Sequence, residues 1–159
     1  MSGLNWTQAP SLKEWDRQRL ENVHRLILET TGETYDIERL QELPLSEKFG
    51  RWVLTDGNRD YGILWVMRLS NRCARVLAFS VSNEYQGNGL GAEGWRRFAK
   101  VAESMGMRTV QLEVRQDNDI AIAMYHRRGL RPKGRIVGFY RGHDGWLMRG
   151  PLIAESASQ

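Results

Sequence analysis

VLAFSVSNEYQGNGLGAEGWRRFAKVAESMG, residues 76–106, passes from an apolar run through a glycine-rich turn into an amphipathic stretch. The run Val76 to Val81 fits a strand, and Leu90, Gly94, Phe98, Val101 and Met105 share one face of the helix that follows. Strand, glycine loop and helix together point backbone N–H groups and a helix N-terminus at an anion, with pyrophosphate the natural guest. The same glycines would equally serve a tight strand-to-helix connection with no ligand.

Two phosphate-binding classes are tested by the neighbours. Gly87, Gly89 and Ala92 satisfy the dinucleotide spacing G-x-G-x-x-G/A, and Glu113 stands near the distance where that fingerprint wants an acid. That fold, however, needs successive βαβ units with the loop after its first strand. Here RWVLTD (51–56), YGILWVMRL (61–69) and CARVLAFSV (73–81) precede the loop as an antiparallel meander with turns at 57–60 and 71–72. No GK[ST] follows the glycines, which excludes a nucleoside-triphosphatase loop.

Upstream, a short strand is expected at Leu4 to Gln8, a helix from Leu12 to Glu29 stopped at Thr31-Gly32, and a second helix capped by Asp36 and running to Leu43. Downstream, RTVQLEVR (108–115) alternates as a strand, and Asn118 caps a helix ending at Gly129. Two strands are expected at about 135–140 and 145–152, and the tail after Leu152 is expected to fray. The fold class is α/β, with a mostly antiparallel mixed sheet of six to seven strands and four helices.

The 159 residues, 41% hydrophobic, suit one domain over residues 1–152. A net charge of +4 would attract a polyanionic ligand, yet Lys and Arg are read as spread along the chain, which gives no support for nucleic acid. No apolar run reaches the roughly 20 residues of a membrane span. A lone cysteine, Cys73, and no recognisable leader point to a soluble, cytoplasmic protein, monomeric or homodimeric. Cys73 begins a strand and is read as a packed residue, and no His/Cys pair has metal-ligand spacing.

A second constellation lies in LEVRQDNDIAIAMYHRRGL, residues 112–130. Asn118, Ile122, Tyr125 and Gly129 follow helical spacing, so Asn118 and Tyr125 share a face about 10 Å apart along the axis. Each has an ordinary reading: Asn118 as a cap, Tyr125 as a core aromatic, Glu113 as an exposed strand residue.

Together, QGNGLG (86–91) and LEVR…N…AIAMY…GL (112–130) resemble the two signature blocks of the GNAT (GCN5-related N-acetyltransferase) family. Within it the resemblance is closest to protein N-terminal (Nα) acetyltransferases of the ribosomal-protein-alanine type, with Phe139-Tyr140 at their tyrosine pair and Asp144 to Met148 at their last motif. Phe139 departs from that pattern, as does Gly94-Trp95, where small aliphatics are expected. Gly94 itself costs a helix about 1 kcal/mol relative to Ala.

The resemblance implies acetyl-CoA as co-substrate and direct attack by an amine. It places the pyrophosphate on the backbone of Gln86, Gly87, Asn88, Gly89, Leu90, Gly91 and Ala92, and the pantetheine on the backbone of Phe79, Ser80 and Val81. It gives Asn118 to the cofactor arm, the base to Glu113, the acid to Tyr125 and an edge of the peptide site to Tyr140. Arg96 and Arg97 are read as a solvated face. The implied acceptor is the α-amine of a protein or peptide. A small-molecule amine such as a polyamine or aminoglycoside, and a CoA-binding module without catalysis, stand as alternatives.

Overall fold

The computed structural model describes residues 3–152; the tail expected to fray lies beyond them. Seven strands form one sheet: β1 (Asn5–Gln8), β2 (Arg51–Thr55), β3 (Asp60–Arg68), β4 (Cys73–Val81), β5 (Thr109–Arg115), β6 (Arg131–Tyr140) and β7 (His143–Pro151). Their spatial order is β1-β2-β3-β4-β5-β7-β6, antiparallel throughout except for the parallel pair β4–β5. That pair is joined by α3 (Leu90–Ser104), the one crossover the glycine loop introduces.

Alternation in the strands builds two cores. Leu54, Leu64, Val76, Leu112 and Val114 face α3 and α4 (Asp119–Arg127), whereas Val53, Ile63 and Trp65 face α1 (Arg17–Thr31) and α2 (Ile37–Gln41). The first helix differs from expectation. Leu12–Glu14 is an isolated 3-10 turn, the chain extends at Trp15, and Asp16 accepts from the Arg19 amide at 2.8 Å to start α1 afresh. An aspartate with extended backbone angles satisfies an orphan N–H that a continuous helix would not need satisfied. Gly32, at φ +78°, ends α1 as expected.

Two smaller departures have local causes. β6 begins at Arg131, four residues earlier than the pattern suggests, because it is the sheet edge and tolerates Pro132. Met105 is 40% exposed where the helical stripe put it inside; it caps α3, and the buried face is Gly94, Trp95, Phe98, Ala99 and Ala102.

Gly94 is explained by β1. The Trp6 indole is fully buried against α3 and donates to the Leu90 carbonyl at 2.8 Å, and a Cβ on residue 94 would stand 2.5 Å from its Cε2. Overpacking against a rigid ring costs about 1–3 kcal/mol, more than the ~1 kcal/mol of helix propensity gained. Gly94→Ala is therefore expected to lower the Tm by several degrees, roughly 2–4 °C per kcal/mol at this size. Calorimetry checks it; a raised Tm would show that Trp6 moves aside freely.

Candidate active site

The site originates where β4 and β5 stop pairing. Their register runs from Cys73↔Thr109 to Val76↔Leu112 and ends there. On the other side of β4, Trp65 opposes Ala78 and Val66 opposes Val76, so Leu77 is bulged out of the β3 ladder. A bulge bends and twists its strand. Beyond it β4 stays with β3, while Glu113, Val114 and Arg115 of β5 stay with β7, and a wedge opens between them. The inner edge of Ala78 to Val81 faces that wedge with no strand partner among the described residues, as an extended, amide-bearing ligand arm requires.

Two cavities meet in the wedge. The larger, about 480 Å³, is lined by Phe79, Ser80 and Val81 of β4, by Gln86, Gly87, Gly89, Gly91 and Ala92 of the glycine loop, and by Asn118 and the adjoining face of α4. The smaller, about 270 Å³, holds Glu33, Tyr35, Arg39, Arg75, Glu113, Tyr125 and Phe139. Thr31, Phe79, Ser80, Asn118 and Ala121 line both, so the cavities adjoin.

The loop is shaped for an anion. Gly87 and Gly89 take φ +83° and +79°, where a side chain would be strained, and Gly89 is the N-cap of α3 without a capping side chain. Among the described residues the amides of Gly87 through Ala92 donate to no hydrogen-bond acceptor. The Gln86 side chain braces the loop, donating to the Val81 carbonyl at 2.8 Å. Asn88 and Leu90 do not line the cavity: Asn88 is exposed, and Leu90 packs inward beneath Trp6.

Basic side chains missed in the sequence complete this end. Arg127 and Arg128 line the larger cavity, and the Arg128 Nε is buried without a partner among the described residues. Burial, then the neighbouring Arg127 and Arg96 charges, lowers the Arg128 pKa, so a bound anion would favour its charged form. The signal was present in RRGLRPKGR, residues 127–135, whose five cations and no acid are not an even spread. Arg97 lies over the Trp52 ring and Arg96 is exposed, as a solvated face requires. Unpaired loop amides, a helix N-terminus and a partnerless arginine fit a pyrophosphate-bearing ligand.

At the junction, Asn118 lines both cavities and caps α4 by accepting from the Ala121 amide at 3.2 Å, and its side-chain N–H₂ donates to no described residue. The Tyr125 ring is 6% exposed, packed against Phe79 and Trp95 at centroid distances of 6.4 and 5.9 Å. Its hydroxyl bonds to no described residue, unlike those of Tyr35 and Tyr140. Burial, then the Glu33 charge, raises its pKa above that of an ordinary phenol.

The smaller cavity carries two carboxylates. Glu113 accepts from Arg75 Nε and Nη2 at 3.0 and 2.9 Å, both on Oε1, and from Gln111 at 3.4 Å on Oε2. Glu33, from the α1–α2 loop, was not singled out from the sequence. Its pKa is raised by burial, against the Tyr35 hydroxyl that donates to it at 3.3 Å and the charge of Arg115. Arg115 in turn donates to the Thr31 carbonyl at 3.1 Å and pairs with Asp117, tying β5 to the end of α1.

Phe139 lines the cavity, its ring seated on Gly145, where a Cβ would meet it at 2.7 Å. Tyr140, expected at the edge of the peptide site, lines neither cavity. Its hydroxyl meets the Thr34 hydroxyl at 3.2 Å and accepts from the Thr34 amide at 2.9 Å; the first bond, then the second, lowers its pKa, and together they hook the β6–β7 hairpin to the α1–α2 loop.

Residues 20–130 match the model of a family described as the acetyltransferase (GNAT) family. A mycothiol acetyltransferase of Corynebacterium efficiens is 33% identical over 84 residues, 53% of this chain but 28% of that protein, so the match spans under a third of that relative's length. Among solved structures, Ard1 from Thermoplasma volcanium has a TM-score of 0.82 at 23% identity, covering 95% of this chain and 99% of that one. The ribosomal-protein-S18-alanine N-acetyltransferase from Escherichia coli has 0.76 at 18% identity, covering 94% of each. NAA60 of Arabidopsis thaliana in complex with acetyl-CoA has 0.69 at 18% identity, covering 92% and 98%. At these identities the structural likeness is one of fold.

Proposed function

The chain belongs to the acetyltransferase (GNAT) family, whose co-substrate is acetyl-CoA, and from that premise we propose that it acetylates the N-terminal α-amine of a protein or peptide. The observation that carries this reading is the smaller cavity. It opens between the α1–α2 loop and the β6–β7 hairpin and balances Glu33 and Glu113 with Arg39 and Arg75. A site for a polyamine or aminoglycoside would present an excess of acid. The amine's own chemistry agrees: an α-amine with pKa near 7.8 is appreciably neutral at pH 7, whereas a lysine near 10.4 needs about 3.5 kcal/mol more to lose its proton.

In this reading the glycine-loop amides and Arg128 hold the phosphates, and the free edge of Phe79 to Val81 pairs with the pantetheine amides. Asn118 fixes the arm where the two cavities join. The amine nitrogen bonds to the thioester carbonyl carbon, the C–S bond breaks, and the sulfur leaves toward the Tyr125 hydroxyl, which donates to it. The amine proton passes to a carboxylate of the smaller cavity. We assign it to Glu33, because Glu113 already spends one oxygen on two bonds from Arg75. Glu113 then orders Arg75 beside the acceptor.

A screen of peptides with varied N-terminal residues beside free amines, read as CoA thiol release from acetyl-CoA, is expected to give turnover on peptides. Turnover on a small amine with none on any peptide would overturn the proposal and favour the small-molecule reading, which the partial match to a mycothiol acetyltransferase motivates. Acetyl-CoA binding without turnover on either would favour the non-catalytic one.

A further inference from the structure

The four charged side chains of the acceptor cavity are not equivalent. Arg75 and Glu113 satisfy each other, and Glu33 is held by Tyr35 within the field of Arg115. Arg39, on α2, is exposed and lines the cavity, and its side chain has no hydrogen bond, ion pair or ring contact among the described residues. Its charge is felt inside, where it opposes the burial that raises the Tyr35 pKa. Arg75, about a third exposed, uses Nε and Nη2 on Glu113 and leaves Nη1 without a bond among the described residues.

We propose that Arg39, assisted by Arg75 Nη1, reads a carboxylate on the acceptor, so that the preferred substrate has Asp or Glu within its first two residues. This rests on the N-terminal acceptor reading above. An incoming amine is complemented by Glu33, and after that pairing the cavity retains one unmatched positive charge, which an acidic side chain next to the amine neutralises. A lysine at the same place meets repulsion from Arg39. The guanidinium fork accepts a carboxylate on two parallel bonds and gains far less from an amide of the same shape.

The test uses peptides identical except for Asp, Asn or Lys at the first or second residue, with kcat/KM measured at saturating acetyl-CoA. The expected preference is about tenfold for acid over amide, shrinking as salt is raised, with lysine slowest. Arg39→Gln is expected to bring the acid-to-amide ratio close to one, and Arg39→Glu to turn the order toward lysine. Retained acetyl-CoA affinity in both variants shows that they are folded. A wild-type ratio of one, or a ratio that survives Arg39→Gln, overturns the inference while turnover on the amide peptides leaves the N-terminal reading standing. Turnover on no peptide removes both.

Discussion

Tyr125→Phe is expected to lower kcat about a hundredfold with little change in acetyl-CoA affinity. The expectation rests on where the hydroxyl is and on what it lacks. The Tyr125 ring is gripped by Phe79 and Trp95, and phenylalanine would keep those contacts. The hydroxyl gives no bond to the described protein, so its removal breaks nothing in the fold, and the Tm is expected to hold or rise. What disappears is a donor on the wall of the smaller cavity, toward which the sulfur departs in the proposed mechanism.

The raised pKa of Tyr125 agrees with the donor role proposed for it. A phenol pushed above its ordinary value stays protonated through the working pH range and serves as a donor, never as the base. A thiol near pKa 8.5 is a stronger acid than even an ordinary phenol near 10, so complete transfer before C–S cleavage is uphill. In the proposed mechanism the hydroxyl therefore gives a hydrogen bond that strengthens while charge builds on sulfur, and an interaction of that kind appears in kcat. Rapid-quench turnover and equilibrium binding of acetyl-CoA separate the two effects. An unchanged kcat, or a loss equal to the loss in binding, would remove Tyr125 from the chemistry.

What the sequence disclosed and what it hid divide along the range of the interactions. The glycine loop, the Asn118 cap and the helical spacing of Asn118 and Tyr125 are local, set by a few consecutive residues, and each stands where the pattern put it. The wedge itself was hidden, because it depends on a bulge at Leu77 that only the β3 register reveals. Arg75 became the partner of Glu113 through a parallel register 38 residues away, and no spacing rule announces such a pair. Gly94 looked like a defect in α3 until Trp6, far earlier in the chain, proved to occupy the missing side chain's place. Glu33 sits in a short loop with no motif of its own. It reaches the site because Arg115 and Tyr140, far later in the chain, hold that loop.

Glu33→Gln and Glu113→Gln are expected to part in both activity and stability. For Glu33, burial disfavours the charged form, so the pKa in the folded chain lies above that in the unfolded one. Its contribution to stability is complete below the unfolded value, where the carboxyl is neutral in both states, and is lost as pH rises through the folded value. At neutral pH the ionised Glu33 is thus a burden on the fold. Glu33→Gln should raise the Tm there, with the difference closing toward about pH 4. Glu113→Gln removes a charge from the Arg75 pair and should lower the Tm by the equivalent of about 1 kcal/mol, since that pair is partly screened by solvent. In catalysis the order reverses. Glu33→Gln is expected to cost about a hundredfold in kcat/KM and Glu113→Gln about tenfold. The pH profile assigns the proton: an α-amine acceptor and a carboxylate base must both be deprotonated, so log kcat/KM should climb with a slope of about two at acid pH, falling to about one when the base is removed. A slope that stays near two in Glu33→Gln and drops in Glu113→Gln would return the base to Glu113 and leave Glu33 as the group that positions the amine. A residue expected to weaken the fold while ionised and to accelerate the reaction fits a general base held in a partly desolvated cavity, because the desolvation that raises its proton affinity is the same desolvation that destabilises its charge.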